Sequence, residues 1–121
     1  MLDKVIAFDL DDVICFRTSN DGKVEKYKTC YPNQDMINIV NECYDRGATI
    51  KIYTARGMSV FQGDVNMIYS NLYTLTFNQL ETWGVKFHEL VMGKLHYDLL
   101  IDDKTVNYEE IKNIEDVEKW L

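Results

Sequence analysis

Cysteine and histidine are scarce in this sequence of 121 residues, which contains three cysteines and two histidines. The cysteines Cys15, Cys30 and Cys43 are odd in number and form no CxxC pair. The sequence therefore indicates neither a disulfide framework nor a zinc site, and we expect reduced thiols. His88 and His96 each lack a partner at metal-ligand spacing, so we interpret them as structural residues or as residues at the rim of a site.

Long apolar runs and an excess of positive charge are also absent. No stretch is long enough to span a bilayer and no secretory segment is recognisable, so we expect a cytoplasmic protein. The formal net charge of −7 disfavours nucleic acid or an anionic membrane as a partner. A small phosphorylated ligand stays compatible, because a divalent cation and a few bases can reverse the local field. The length supports a single domain over residues 1–121.

The segment 4–13 combines the pattern of a buried strand with three acids. Residues 5–8 form a continuous apolar run, which is typical of a strand in a parallel sheet. Asp9, Asp11 and Asp12 follow, at the carboxyl edge where open α/β sheets bind ligands. Two carboxylates about 4 Å apart repel by roughly 1 kcal/mol in water and about 4 kcal/mol at a protein-like dielectric. A cation, a shared proton or solvent exposure must relieve this repulsion, and an exposed acidic loop is the alternative interpretation.

Two later apolar runs also end in polar side chains. Residues 48–53 lead into Thr54, and residues 99–101 lead into Asp102-Asp103, with Lys94 between them. The order Asp-x-Asp, Thr, Lys, Asp-Asp resembles the four motifs of the haloacid dehalogenase superfamily, and the match spans nearly the whole chain.

The amino-acid sequences of three segments resemble those of a narrower group, the small capless phosphatases found among capsular-polysaccharide biosynthesis proteins. These segments are Tyr53-Thr54-Ala55-Arg56-Gly57-Met58, Trp83-Gly84-Val85-Lys86-Phe87-His88-Glu89-Leu90 and Ile101-Asp102-Asp103-Lys104. Alternating strands and helices predict a three-layer α/β sandwich with a central parallel sheet. The gaps 14–49 and 55–85 are too short for the cap domains of the superfamily, so we predict an open site.

The resemblance implies phosphoryl transfer through an aspartyl phosphate. Asp9 would be the nucleophile, and Asp11 would protonate the leaving oxygen and then deprotonate the hydrolytic water. Thr54 would hold a phosphoryl oxygen, Lys94 would stabilise the transition-state charge, and the backbone N–H of Leu10 would complete the anion cradle.

Two arginines and four acids complete the predicted site. Arg56 and Arg17 are candidate substrate contacts, and a structural salt bridge is the alternative for each. The carboxylates of Asp9 and Asp102, with the backbone carbonyl of Asp11, are hard oxygen donors that suit Mg²⁺. Asp103 belongs to the same metal site, where it would orient water or Lys94.

The first half of the chain predicts a hairpin and a helix. Asp21-Gly22 between two short, half-apolar runs favours a hairpin over residues 14–27, which would flank the site. A helix follows, capped by Asn33 or Asp35 and ended by Arg46-Gly47.

The second half predicts two helices between Met58 and Trp83, because Thr76 and Gln79 fit a capping box at the start of the second one. Strands are predicted at 87–92 and 98–101. The charged tail is expected to pack back onto the domain at its end.

The function that these features predict is a Mg²⁺-dependent phosphomonoester phosphatase acting on a phosphorylated sugar or capsule-precursor metabolite. A phosphotransferase of the same superfamily and a non-catalytic binding protein on this fold are the alternatives. The aromatic residues of the second half are more typical of a core or subunit interface than of a base-stacking platform. The apolar face of the segment 58–73 predicts a homo-oligomer.

Overall fold

A three-stranded parallel sheet with helices packed on it forms the centre of the protein, as a computed structural model describes it for residues 2–19 and 22–121. In chain order the elements are β1 (Val5–Asp9), β2 (Cys15–Phe16), α1 (Glu25–Lys28), β3 (Tyr31–Pro32), α2 (Gln34–Asp45), β4 (Thr49–Thr54), α3 (Val65–Thr82), β5 (Glu89–Met92) and α4 (Ile114–Glu118), with a 3₁₀ turn at Tyr108–Glu110. The predicted α/β class with a parallel sheet is confirmed.

The sheet has the strand order β1-β4-β5, so the chain adds each strand on the same side of the one before. Its register places Asp9 beside Tyr53 and Thr54 beside Met92. All three strands therefore deliver their last residues to one edge of the sheet. Since β4 is the only strand paired with β1 among the described residues, the other edge of β1 has no strand beside it.

Helices cover one face of this sheet. Crossovers between parallel strands are right-handed almost without exception, so two successive crossovers in one direction place α2 and α3 on the same face. Burial agrees, because side chains buried on that face alternate with exposed ones along each strand: Phe8, Ile50, Ile52, Leu90 and Met92 are buried, whereas Val5, Ala7, Tyr53 and Glu89 are exposed. The described residues supply no helix to the second face, and so do not supply the third layer of the predicted sandwich.

The helix α2 forms as its sequence predicts. Asn33 is the N-cap and its side-chain oxygen accepts a hydrogen bond from the backbone N–H of Met36. The predicted apolar stripe is buried against the sheet: Met36, Ile37, Ile39, Val40 and Cys43.

One helix, α3, replaces the two that were predicted between Met58 and Trp83. It begins after the N-cap Asp64 and runs without a break through Thr76, which is fully buried in its middle. The side-chain oxygens of Thr76 and Gln79 both accept hydrogen bonds from Arg56. Thr76 and Gln79 therefore do not cap a helix; they bind the side chain of Arg56 from within α3. No helix in the described residues is long and apolar enough to cross a membrane.

The predicted hairpin over residues 14–27 is wrong in its second strand. The strand β2 pairs in antiparallel fashion with β3 at Tyr31–Pro32, and residues Glu25–Lys28 form the short helix α1. Tyr27 explains the difference, because its buried hydroxyl accepts from the backbone N–H of Gly57 and its carbonyl accepts from Gln79. Asp21 of the predicted turn lies outside the described residues.

The strand predicted at 98–101 does not form. Residues 93–107 contain neither helix nor strand, and we call residues 95–101 the arm. Its apolar side chains are strongly exposed: Leu95 by 71%, Leu99 by 75% and Ile101 by 88%. After the arm the chain returns to its own domain, where α4 packs on α2 and buries Ile114 and Val117. The predicted packing of the tail is confirmed for Ile114 and Val117, whereas Trp120 is exposed.

Candidate functional site

Three of the predicted site residues meet at the carboxyl edge of the sheet. Asp9 ends β1, Thr54 ends β4, and Lys94 follows β5 after a turn at Gly93, which has a φ of 89°. The ammonium of Lys94 lies 3.2 Å from Oδ2 of Asp9. The backbone N–H of Lys94 donates to the carbonyl of Thr54 at 3.0 Å, which fixes the loop against β4. The remaining carboxylate oxygen of Asp9 accepts from the backbone N–H of Leu10 at 2.9 Å.

The side chain of Lys94 is held as a cation beside an accessible carboxylate. Burial lowers the pKa of Lys94, but hydrogen bonding to Tyr97 and the charge of Asp9 outweigh it, and the pKa is raised. The side chain of Lys94 is 16% exposed and that of Asp9 is 38% exposed. A ligand can therefore approach Asp9 from solvent while Lys94 stays beside it.

The side chain of Thr54 is buried below the carboxyl edge of the sheet. Thr54 is 1% exposed, and its Oγ1 accepts a hydrogen bond from the backbone N–H of Arg56 at 3.1 Å. This bond turns the chain sharply after β4 and sends the side chain of Arg56 into the protein.

Arg56 forms a buried salt bridge with Asp11. Its Nε lies 3.0 Å from Oδ2 of Asp11 and its Nη2 lies 3.1 Å from Oδ1, a fork on a carboxylate. Nη1 donates to Thr76 at 3.1 Å and to Gln79 at 2.6 Å, and the guanidinium lies 5.0 Å from the centre of the Tyr27 ring. Arg56 is 1% exposed. Of the two interpretations of Arg56, the structure shows the structural salt bridge and leaves no path to a substrate.

Arg17 also forms a salt bridge, at the surface. Its Nη2 lies 3.0 Å from Oδ2 of Asp12, with side-chain exposures of 25% and 63%. Asp12 has a positive φ of 69°, and its side chain is paired with Arg17. The structural alternative is again the one observed, although Arg17 keeps more solvent access than Arg56.

A cluster that the sequence did not reveal surrounds Arg56. The ligand atoms of Asp11, Cys15 and Cys30 lie within 4.8 Å of one another, the only such group of metal-ligating residues among the described positions. Nη2 of Arg56 lies 3.7 Å from the sulfur of Cys15 and 3.5 Å from that of Cys30. Because the guanidinium already supplies the positive charge there, the cluster does not suit a cation. The separation of the two cysteines along the chain carries no signal that could have predicted it.

Asp102 and Asp103 come directly after the arm, in a segment without helix or strand. Asp102 accepts from the backbone N–H of Lys104 at 2.8 Å, and both acids are exposed. Neither belongs to a group that could hold a metal within the part of the chain that the structure describes. The prediction that Asp102 and Asp103 complete a magnesium site with Asp9 and Asp11 is therefore not met within one chain. The reason is that the strand expected at 98–101, just before these acids, does not form.

The thiol environments lead to a test of this geometry. A hydrogen bond from Cys15 lowers the pKa of Cys30, and the charges of Arg56 and Arg17 act in the same direction against burial. Burial raises the pKa of Cys43 to about 11. At pH 7.5 the thiolate fraction is therefore higher for Cys30, and we expect iodoacetamide to modify Cys30 first by a wide margin.

Peptide mass spectrometry over time measures the order of modification, and denatured protein, in which all three thiols react, is the control. Alkylation of Cys43 before Cys30 would contradict the geometry around Arg56.

No family model and no curated protein matches this sequence. A crystal structure of a structural-genomics target from Vibrio cholerae is similar in fold, with a TM-score of 0.84 and 27% sequence identity. The match covers 97% of this chain and 95% of that chain, so it extends across the arm. The similarity shows that the whole α/β arrangement has a counterpart in a solved structure.

Proposed function

We propose that the protein is a phosphomonoester phosphatase that forms an aspartyl phosphate on Asp9. The observation that carries this proposal is the placement of Asp9, with Lys94 at 3.2 Å and Thr54 on the adjacent strand. A carboxylate that is 38% exposed and lies beside a partly buried ammonium can receive an anionic phosphoryl group, which a carboxylate alone would repel.

The chain's own groups divide the work of the reaction. The backbone N–H of Leu10 and the ammonium of Lys94 bind the two oxygens of the Asp9 carboxylate, and so orient it for attack on phosphorus. Lys94 lies where it also meets the charge that develops on the phosphoryl oxygens. Thr54 is 1% exposed, so its hydroxyl can reach a phosphoryl oxygen only after the loop that follows β4 has moved.

The proton transfers assigned to Asp11 require a change from the observed geometry. Asp11 is held by the Arg56 fork, so its carboxylate must leave Arg56 before it can protonate a leaving oxygen. The alternative is that Asp11 positions the loop after β1 through its salt bridge with Arg56. The observed salt bridge favours this positioning role in the free protein.

Mg²⁺ is the cofactor we propose, but one chain does not offer the complete donor set. Hard oxygen donors suit this ion, and Asp9 is available in the site, whereas Asp102 is exposed directly after the arm. The substrate class, a phosphorylated sugar or capsule-precursor metabolite, rests on the sequence resemblance around Thr54 and Asp102. The connections β1–β4 and β4–β5 hold the core helices and the β2–β3 pair and no inserted cap domain, so the carboxyl edge stays open to water, which supports hydrolysis over transfer to another acceptor.

An assay of aryl phosphate hydrolysis tests this function. We expect free phosphate to be released in Mg²⁺ buffer, the rate to fall to background with excess EDTA, and added Mg²⁺ to restore it. EDTA-resistant turnover would contradict the metal requirement. The absence of turnover with aryl phosphates and with a panel of phosphorylated sugars would contradict the proposed function.

A further inference from the structure

The described residues leave one edge and one face of the sheet uncovered. The outer edge of β1 presents backbone groups with no neighbouring strand. On the uncovered face Val5 is 63% exposed and Tyr53 is 39% exposed. An open strand edge beside apolar surface is a ready template for another extended segment.

The arm has the composition of the missing strand. Five of its seven residues are large and apolar or aromatic, and all five are exposed: Leu95, Tyr97, Leu99, Leu100 and Ile101. Burying one such aliphatic side chain contributes roughly 1.5–3 kcal/mol, so leaving Leu95, Leu99 and Ile101 in water is a considerable loss of stability. The same chain thus holds an unpaired edge and an unpaired strand-like segment.

The connection between β5 and residues 99–101 is too short for these residues to pair in parallel with β1 of their own chain. Only residues 93–98 separate Met92 at the end of β5 from Leu99. A parallel strand beside β1 must begin at the opposite edge of the sheet, and such crossovers need about a dozen residues or more. An antiparallel return would be possible, but it would leave Asp102 at the edge of the sheet opposite Asp9.

We propose that two copies of this chain exchange their arms. Residues 99–101 of each copy extend the sheet of the other in parallel beside its β1, and Asp102 then follows at the carboxyl edge near Asp9 of that other copy. Reciprocal exchange closes as a symmetric dimer, which satisfies both open edges and both arms. Residues 102–107 contain neither helix nor strand and can extend to roughly 20 Å, so the 3₁₀ turn and α4 can remain packed on their own copy.

The exchange itself rests on the sheet, while the delivery of Asp102 rests also on the proposed function. Each site of the dimer would combine Asp9, Thr54 and Lys94 of one copy with Asp102 of its partner copy. This arrangement supplies the carboxylate that a single chain does not bring to Asp9. It also explains how a six-residue connection can follow Met92 without a crossover helix.

Light scattering tests the exchange without any assay of activity. We expect the protein to be a dimer, and the double variant Leu99→Asp/Ile101→Asp to be a monomer with an unchanged circular dichroism spectrum. Met67→Asp is the matched control, because Met67 is also an exposed apolar residue, 45% exposed on α3. We expect it to remain a dimer. A monomeric wild type would overturn the proposal, and so would a dimer that Met67→Asp dissociates and the arm variant does not.

Subunit mixing tests whether the arm completes the site of the other copy. Asp9→Asn and Asp102→Asn are each expected to be inactive as pure dimers. After the two variants are refolded together, half of the dimers are mixed and each mixed dimer has one intact site, so about a quarter of wild-type activity should return. A mixture that stays inactive would overturn the delivery of Asp102 by the partner. Arm-dependent dimers without phosphatase activity in the wild type would leave the exchange standing and overturn the proposed function instead.

Discussion

Asp9→Asn is expected to lower the turnover of an aryl phosphate by roughly 10⁵-fold or more, because an amide cannot form the acyl phosphate. The fold should survive, since the side chain of Asp9 is 38% exposed and its described contacts are the backbone N–H of Leu10 and the ammonium of Lys94. An asparagine carbonyl can still accept from Leu10. The measurement is kcat at saturating substrate and Mg²⁺, together with the thermal midpoint of unfolding.

Asp12→Asn is the matched control for this loss. Asp12 belongs to the same acidic segment, but its side chain is exposed and is paired with Arg17 at the surface. We expect this variant to keep kcat within a few-fold of the wild type. An Asp9→Asn protein that keeps a tenth of wild-type activity would remove Asp9 from the role of nucleophile.

The part of the site that the sequence could predict is the part built from neighbouring strand ends. Parallel strands point the same way, so Asp9, Thr54 and the loop that carries Lys94 had to meet once β1, β4 and β5 were recognised. This inference needs only the strand pattern and the order of the motifs. Asp102 needed more, because residues 99–101 pair with no strand among the described residues and the sequence pattern alone does not show this.

Short sequence patterns predicted the wrong secondary structure at two places where a contact with a distant residue was more stabilising. Thr76 and Gln79 have the spacing of a capping box, yet both side chains bind Arg56 and the helix continues through them. Asp21-Gly22 favours a hairpin, yet the residues after it form α1, because that helix brings Tyr27 to Gly57 and Gln79. In each case a hydrogen bond to a residue many positions away outweighed a preference that belongs to a few neighbouring residues.

Arg56 shows the same limit for a candidate site residue. An arginine in the loop after β4 has the right type and place for a phosphate contact, and the sequence left this interpretation open beside a salt bridge. Two contacts in the structure support the salt bridge. The hydroxyl of Thr54 accepts a hydrogen bond from the backbone N–H of Arg56, and Asp11 supplies the opposite charge inside the protein. Together they turn the guanidinium away from solvent.

Arg56→Met is therefore expected to destabilise the protein by about 3–5 kcal/mol, the range seen when one partner of a buried ion pair is removed. The side chain of Asp11, 13% exposed, would keep a charge without its partner. Thr76 and Gln79 would each lose a hydrogen bond as well. Urea unfolding followed by circular dichroism measures the change in the free energy of unfolding.

Arg17→Met is the matched control, because its salt bridge with Asp12 is partly exposed and such pairs contribute about 0–1 kcal/mol.

The double variant Arg56→Met/Asp11→Asn should recover part of the stability, since it removes the unpaired charge that the single change leaves behind. Arg56→Lys should not restore the wild-type value, because an ammonium cannot reproduce the fork on Asp11 and the bonds to Thr76 and Gln79 together. A loss below about 1 kcal/mol for Arg56→Met would show that the salt bridge does not hold the loop after β4. It would return Arg56 to the residues that can reach a substrate.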